Sequence, residues 1–285
     1  MNELAGLTRF PLARRGFVMS SLISGFTLAT TRVDAQAIQT DTAGLDAGET
    51  KITTSDSQLP AYYARPQGAG PFPTVLVVEE IFGVHEYIKD ICRRLAKQGF
   101  LAVATEYYAR LGELQDMTSA MQLDGQIISR APDGLLMSDM DSTAEWAASN
   151  HGDPARLSII GFCRGGRNVW LYAAHNPKLK AAVAFYGPMG GAPTAIQPKG
   201  PLDVAGQIKC PILGLYAGTK DPSSSPEQIK QAEAAAKSTG LDAQIIVYPD
   251  AAHGFHADYR PSYNKTDADD AWTRMLAWLR THKAG

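Results

Sequence analysis

A strand, a tight turn and a helix in close succession restrict the fold of this chain more than any other feature. An apolar run at 157–160 is typical of a buried strand, and residues 167–175 have the pattern of a helix. Between them lies Gly161-x-Cys163-x-Gly165, whose glycines are typical of a turn where strand and helix pass too close for Cβ atoms. We expect Cys163 in a strained conformation at the helix N-terminus, where the helix dipole favours thiolate over thiol. A buried cysteine in a Gly-rich turn is the alternative interpretation of this motif taken alone.

The rest of the chain alternates predicted strands with predicted helices. The strands are continuous apolar runs, as expected for strands buried on both faces of a parallel sheet. Such alternation predicts an α/β fold with a mostly parallel central sheet, helices on both faces and right-handed crossovers. No repeat or composition shift divides residues 38–285, so we expect one domain there. The predicted elements are a leading hairpin (51–55 and 61–65), strands at 74–78, 100–104, 181–186, 212–216 and 244–248, and helices at 86–98, 134–149, 226–238 and 267–282.

Composition excludes several classes of protein. A net charge of −2 over 285 residues, without a basic patch, argues against a nucleic-acid partner. No apolar run approaches the roughly 18–20 residues that span a membrane. The three cysteines have spacings typical of neither a metal site nor a disulfide framework, and a bond between Cys92 and Cys210 has no sequence support. We expect a monomer that needs no metal and no organic cofactor.

Residues 1–37 have the features of an export signal. Paired arginines, Arg14 and Arg15, precede an aromatic residue and a modestly apolar stretch that runs to about Ala29. The sequence Ala35-Gln36-Ala37 then supplies an Ala-x-Ala cleavage site. This order resembles the twin-arginine signal of bacteria, so we expect cleavage after about Ala37 and a periplasmic or secreted mature protein.

Chemically informative side chains follow the predicted strands. In open α/β sheets, sites form beyond the carboxyl ends of the strands, so these side chains are expected to lie close together. The residues in question are Glu80, Arg110, Cys163, Asp221 and His253.

Three of these residues have the types and the order needed for nucleophilic catalysis. A cysteine that attacks an acyl carbon needs a base for its proton and an acid that orients the base. Asp221 and His253 follow successive late strands, and the order nucleophile, acid, histidine is that of the α/β-hydrolase fold. Taken singly, Asp221 reads as a turn aspartate and His253 as a surface histidine, but their ordered combination with Cys163 favours a catalytic triad.

At these residues the chain resembles a known family, the dienelactone hydrolases. They are a branch of the α/β-hydrolases with a cysteine nucleophile, and the resemblance covers most of residues 50–283. The motifs that carry it are Glu80-Ile81-Phe82-Gly83, Tyr108-Ala109-Arg110, Gly161-Phe162-Cys163-Arg164-Gly165-Gly166, the Asp221 loop and His253-Gly254-Phe255.

The resemblance implies roles for the catalytic residues. Cys163, His253 and Asp221 would form the triad, and Glu80 would pair with the thiol and help gate its ionisation. The backbone N–H groups of Ile81 and Arg164 would stabilise the oxyanion, and two such donors typically contribute a few kcal/mol each.

The two adjacent glutamates are predicted to differ. Because Glu80 precedes the apolar Ile81 and Phe82, we expect a raised pKa that would let it exchange a proton with a nearby thiol. Glu79 is interpreted as a solvated loop residue, although it stands where the family often has glutamine or histidine. Residues 139–141 are interpreted as a solvated helix face.

The resemblance also implies a carboxylate-binding site. Arg110 matches a family arginine that grips the substrate carboxylate, which a guanidinium can do with two hydrogen bonds. A second family arginine is replaced by Ala257, and Arg260 on the same loop is a candidate substitute. Tyr108 and Phe82 are expected to line the pocket, and Arg164 stands where an apolar residue is usual.

The expected activity is cleavage of small lactone or ester bonds through a cysteinyl acyl-enzyme. The chain would be a carboxylic ester hydrolase similar to carboxymethylenebutenolidase, with a small lactone or ester as its partner, for which a carboxylated form is one candidate. One alternative is a broader exported carboxylesterase or thioesterase. Another, from a different class, is a thiol-sensing or binding protein that lost turnover.

Overall fold

The sheet that organises this protein has eight strands in the order β1-β2-β4-β3-β5-β6-β7-β8. The computed structural model describes residues 38–112, 127–218 and 220–285, and the signal predicted for 1–37 lies outside them. The strands are β1 (Leu45–Thr53), β2 (Gln58–Pro66), β3 (Phe72–Val78), β4 (Leu101–Thr105), β5 (Gly152–Phe162), β6 (Ala181–Phe185), β7 (Ile212–Ala217) and β8 (Ala243–Tyr248). The helices are α1 (Glu86–Lys97), α2 (Asp133–Ser149), α3 (Arg164–His175), α4 (Pro201–Val204), α5 (Pro226–Lys237) and α6 (Lys265–Thr281).

Strand direction confirms the predicted mostly parallel sheet. The two strands of the hairpin β1–β2 are antiparallel, and β2 also pairs with β4 in antiparallel orientation. All other pairs, from β4–β3 to β7–β8, are parallel. The carboxyl ends of β3 to β8 therefore share one edge of the sheet, and the loops that follow them meet there.

Helices cover both faces of the sheet, as predicted. On one face, α1 and α6 bury residues such as Ile91 and Met275 against the sheet. On the other face, α2, α3 and α5 bury residues such as Met140, Trp170 and Ile229. Both faces of the central strands are thereby removed from water, which explains why those strands read as continuous apolar runs.

Several element boundaries differ from prediction. The hairpin strands are longer than the predicted 51–55 and 61–65, because polar residues on this half-exposed pair hide the strand pattern. Strand β5 begins at Gly152 rather than at 157, and α3 begins at Arg164, directly after Cys163. The segment between β6 and β7, for which no element was predicted, contains α4 and a 3₁₀ turn at Ala205–Gln207.

The described part of the chain contains no helix that is both long and apolar enough to cross a bilayer. Cys92, Cys163 and Cys210 are all buried and unpaired. Within the same residues, no group of histidine, cysteine and acidic side chains could hold a metal ion.

Candidate active site

The tight turn at Cys163 is present and is strained. Strand β5 ends at Phe162, α3 begins at Arg164, and Cys163 between them has φ of 54° and ψ of −120°. A Cβ atom on Gly161 would lie 2.5 Å from the Gly165 carbonyl oxygen, and one on Gly165 would lie 2.4 Å from that of Val78. Neither contact is tolerable, so both positions require glycine. The strain presents the Cys163 side chain at the end of the sheet, at the first turn of α3.

Cys163, His253 and Asp221 form one line of contacts. His253 Nε2 lies 3.1 Å from Cys163 Sγ, and His253 Nδ1 lies 2.9 Å from Asp221 Oδ2. The Ser223 N–H donates to the other Asp221 oxygen at 2.9 Å, which fixes the carboxylate. Asp221 is 4% exposed and Cys163 is 2% exposed, so little water screens these contacts. The structure therefore brings these three residues into contact, and their catalytic roles stay predictions.

The electrostatics favour a charged histidine. Burial lowers the pKa of His253, but the charges of Asp221 and Cys163 and hydrogen bonds to both outweigh burial and raise it to about 10. Burial raises the pKa of Asp221, yet the His253 charge and its hydrogen bonds bring it below its ordinary value. The raised pKa favours the imidazolium form of His253, which lies between the Asp221 carboxylate and the Cys163 sulfur.

The predicted oxyanion donors lie at two converging backbone segments. Arg164 opens α3, so its N–H has no acceptor inside that helix. Ile81 follows the end of β3, and Gly165 packs directly against the Val78 and Glu79 carbonyls there. The close packing brings the β3 loop to the start of α3. The roles of both N–H groups stay predictions.

Glu80 differs from its prediction. Its carboxylate is fully buried, accepts from Arg260 Nη2 at 3.0 Å and from the Tyr259 hydroxyl, and lies 3.7 Å from His85 Nε2. Burial alone would raise its pKa, but the Arg260 charge, His85 and Tyr259 lower it to about 2. The expectation of a raised pKa is wrong, because the apolar neighbours in sequence are outweighed by an arginine from a distant loop. Glu80 makes its hydrogen bonds to Arg260 and Tyr259. Its predicted role in gating the ionisation of the Cys163 thiol stays a prediction.

Glu79, unlike Glu80, has a raised pKa. It was expected to be solvated, but it is 0% exposed, and neither carboxyl oxygen makes a hydrogen bond that meets normal distance and angle limits among the described residues. Burial and, next, the nearby charge of Glu106 raise its pKa well above its ordinary value. Adjacent residues of an extended segment point to opposite sides, so Glu79 does not share the partners of Glu80.

We expect Glu79→Gln to stabilise the protein increasingly as the pH rises. A raised folded-state pKa means that the stability contributed by Glu79 is complete below the unfolded value of about 4.5 and is lost above it. Relative to the variant, the wild type should lose up to about 1.4 kcal/mol of unfolding free energy per pH unit while the buried carboxyl stays protonated. Urea unfolding of both proteins at pH 4 and pH 8 measures this. A difference that does not change with pH would contradict a buried neutral Glu79.

Arg110 does not have the free guanidinium that its predicted role requires. It pairs with Asp139 through both terminal nitrogens, one contact being 3.0 Å, and with Asp56 Oδ1 at 3.0 Å. Asp139 is fully buried, so the interpretation of 139–141 as a solvated face is wrong at this residue. The structure thus brings Arg110 to two protein carboxylates, and none of its hydrogen-bond partners belongs to the triad.

The other predicted substrate-binding residues lie in the loops around the site. Arg260 is 5% exposed, is held by Glu80 and stacks over the Phe82 ring at 5.1 Å. A substitute for the arginine missing at position 257 would need to reach the loop after β3, and Arg260 does so. Its charge, however, is already compensated by Glu80. Tyr108 is fully buried, and its hydroxyl accepts from Asn168 Nδ2 at 3.0 Å.

Sequence reasoning missed Tyr186. It follows β6 with φ of 37°, and its ring packs edge-on against His253 with centroids 5.2 Å apart. Its hydroxyl is buried and makes no hydrogen bond that meets normal distance and angle limits within the described residues. The predicted strand at 181–186 includes Tyr186, whereas β6 ends at Phe185, so the rule that sites follow strand ends did not single it out.

Comparison with known proteins decides the family. A sequence model of the dienelactone hydrolase family matches residues 59–283. The chain belongs to the dienelactone hydrolase family. Like its relatives in that family, it is a carboxylic ester hydrolase.

Individual dienelactone hydrolase relatives cover nearly the whole chain. A Methylorubrum extorquens protein named "Putative carboxymethylenebutenolidase" is 49% identical over 275 residues, which are 95% of this chain and 94% of the relative. The crystal structure titled "Putative Dienelactone Hydrolase" from Klebsiella pneumoniae has a TM-score of 0.80 and 48% identity, covering 83% of this chain and 98% of its own. A Bradyrhizobium protein named "Probable 2-oxo-3-(5-oxofuran-2-ylidene)propanoate lactonase" is 33% identical over 236 residues, which are 82% of this chain and 93% of the relative.

Proposed function

We propose that this dienelactone hydrolase cleaves small lactones or esters through a cysteinyl acyl-enzyme on Cys163. The observation that carries the proposal is the line from Asp221 through His253 to Cys163, with contacts of 2.9 Å and 3.1 Å. Such a line is the arrangement in which a histidine accepts and returns the proton of a nucleophile.

The proposed reaction has two halves. The Cys163 sulfur, ionised against the His253 imidazolium, attacks the ester carbonyl and forms the C–S bond. The N–H groups of Ile81 and Arg164 hold the oxyanion. When the C–O bond breaks, the Nε2 proton of His253 passes to the leaving alkoxide or enolate oxygen.

Hydrolysis of the acyl-enzyme uses the histidine in the opposite sense. Neutral His253 takes a proton from water, and the resulting hydroxide attacks the thioester carbon. Collapse breaks the C–S bond, releases the carboxylic acid and restores the thiolate–imidazolium pair. Asp221 stays ionised throughout and holds Nδ1–H, which keeps Nε2 directed at the sulfur.

For the substrate, we propose a small lactone that carries a carboxylate. The Bradyrhizobium relative is named for a propanoate-bearing oxofuran lactone, and its similarity extends over most of this chain. A broader carboxylesterase or thioesterase is the second candidate. It is favoured by one observation, namely that the guanidinium groups of Arg110 and Arg260 both form ion pairs with carboxylates of the protein.

Mixing the enzyme with p-nitrophenyl acetate should give a burst of p-nitrophenol and a protein heavier by one acetyl group. Peptide mass spectrometry after acid quenching should place that group on Cys163. The other cysteines are internal controls, because burial raises the pKa of Cys210 to about 12 and also raises that of Cys92. Acetylation elsewhere, or turnover without a thioester on Cys163, would contradict the proposal.

A further inference from the structure

The first described residues of the chain lie against the loop that carries His253. Thr40 donates its backbone N–H to the Asp90 carboxylate on α1. Asp90 also accepts from Arg94, whose Nη2 atom donates to Asp258 Oδ2 at 2.6 Å. Asp258 belongs to the loop that follows β8, shortly after His253. One run of polar contacts therefore joins the segment at Thr40, α1 and the loop of the candidate active site.

The backbone nitrogen of Ile38 faces the Asp258 carboxylate. Ile38 precedes Thr40 by two residues, so its nitrogen lies within about 8 Å of the one that Asp90 binds. Burial raises the pKa of Asp258, and the hydrogen bonds from Arg94 and from the Ile38 N–H lower it in part. Asp258 Oδ1 makes no hydrogen bond that meets normal distance and angle limits in the described part of the chain. This oxygen can therefore accept from a further donor at the Ile38 nitrogen.

Asp258 shares its cationic partner. Within the described residues, the ion pairs of this cluster join the carboxylates of Glu86, Asp90 and Asp258 to the guanidiniums of Arg93 and Arg94. Arg94 is divided between Asp90 and Asp258, and Arg93 does not reach Asp258. Asp258 is 3% exposed, so water compensates its charge poorly. A second cation beside a buried carboxylate of this kind is stabilising.

We propose that cleavage after Ala37 converts the Ile38 nitrogen into an α-ammonium that pairs with Asp258 and thereby fixes the loop of His253 in the mature protein. The inference goes beyond the proposed function and rests on the predicted signal, whose Ala-x-Ala site ends at Ala37. Hydrolysis of the Ala37–Ile38 bond by a signal peptidase consumes one water and leaves a carboxylate on Ala37 and an amine on Ile38. The amine takes up a proton near neutral pH and then has three N–H donors where the peptide has one.

The new ion pair acts next to the contacts that hold the candidate active site. Tyr259, the residue after Asp258, donates its hydroxyl to Glu80, and Arg260 Nη2 donates to Glu80 at 3.0 Å. The ammonium restrains the loop between His253 and these two residues. The loop thus reaches its full stability only after the signal has been removed.

Cutting the full chain in vitro tests the ion pair separately from export. In one version, residues 34–37 are replaced by Ile-Glu-Gly-Arg, so that factor Xa cuts directly before Ile38. In the matched version, residues 32–35 are replaced, and the cut leaves Gln36 and Ala37 ahead of Ile38. Cutting the first protein should raise its Tm by roughly 3–10 °C, as expected for a charged hydrogen bond in a protein of this size. Cutting the matched version should leave Tm nearly unchanged, because its ammonium is two residues away from Asp258.

The reactivity of the new amine is a readout that a merely structural role of Asp258 would not change. An ion pair holds the ammonium proton, so acetylation of the N-terminus by N-hydroxysuccinimidyl acetate at pH 8 should be about tenfold slower after the first cut than after the second. Asp258→Asn should remove most of this difference and most of the gain in Tm. Asp41→Asn is the control, because it removes an exposed carboxylate near Ile38 that pairs with Lys97, and it should preserve both effects.

Two results would overturn the inference. The first is equal Tm gain and equal amine reactivity in the two cut proteins, a comparison that stands even where Asp258→Asn does not fold. The second is a mature N-terminus other than Ile38 in the unaltered full chain, sequenced after export from a bacterial host. The proposed function fails by a different result, namely turnover without a Cys163 thioester.

Discussion

Cys163→Ala should lower kcat for p-nitrophenyl acetate by about 10⁶, the order of the loss found when the nucleophile of a catalytic triad is removed. Alanine cannot form the acyl-enzyme, and no other described cysteine can replace it, because Cys92 is 0% and Cys210 is 1% exposed. Steady-state hydrolysis, corrected for the buffer reaction, measures the loss.

Cys210→Ala is the matched control for Cys163→Ala. It removes a buried thiol that precedes β7, far along the chain from the strained turn, and should keep kcat within about threefold of wild type. Full activity in the Cys163 variant would eliminate the acyl-enzyme. The binding-protein alternative predicts instead that the wild type itself has no burst and no turnover.

The features that could be predicted from sequence are those determined within a short segment. The turn at Cys163 is one of them, since the close approach of β5 and α3 forces glycine at positions 161 and 165. The alternation of apolar runs with helical patterns likewise indicated the parallel sheet and the edge where Asp221 and His253 meet Cys163.

The features that could not be predicted depend on partners distant in sequence. Glu80 precedes the apolar Ile81 and Phe82 in the chain, yet its pKa is lowered by Arg260, 180 positions away. Arg110 was predicted to be available for substrate because its partner Asp139, on α2, was interpreted as part of a solvated helix face. In both cases the pattern identified a charged residue at the correct edge of the sheet but not the charge that faces it.

These two errors share a functional consequence. Both arginines that the sequence analysis assigned to the substrate carboxylate are paired with protein carboxylates. A guanidinium binds a ligand best when its donors are not already satisfied. A substrate carboxylate at either arginine would therefore have to compete with a carboxylate of the protein.

Glu80→Gln should lower the free energy of unfolding by about 3–5 kcal/mol, the usual effect of removing one partner of a buried ion pair. The side chains of Arg260 and Glu80 are 2% and 0% exposed, so the variant leaves a buried cation without a counter-charge. Urea unfolding at pH 7 measures the change. Glu49→Gln, which breaks an exposed pair with Lys89, is the control and should change stability little.

The effect of Glu80→Gln should disappear in acid, and the direction follows from the lowered pKa. A carboxyl whose pKa falls from 4.5 to about 2 on folding contributes stability that is complete above 4.5. That contribution is lost as the pH falls from about 4.5 towards 2, so the difference between variant and wild type should shrink over this interval. A difference that persists unchanged at pH 2.5 would contradict the ionised state of Glu80.

Removing both partners separates the structural role of Glu80 from a catalytic one. Glu80→Met/Arg260→Met removes both charges of the buried pair and should recover most of the lost stability, because an apolar pair of similar volume often replaces a buried ion pair without cost. One outcome is a double variant that is as stable as the wild type and still hydrolyses p-nitrophenyl acetate slowly. In that case the Glu80 carboxylate has a direct effect on the Cys163 thiol, in addition to holding the loop that contains Ile81. If activity returns with stability, Glu80 serves to position that loop, and its predicted gating role is wrong.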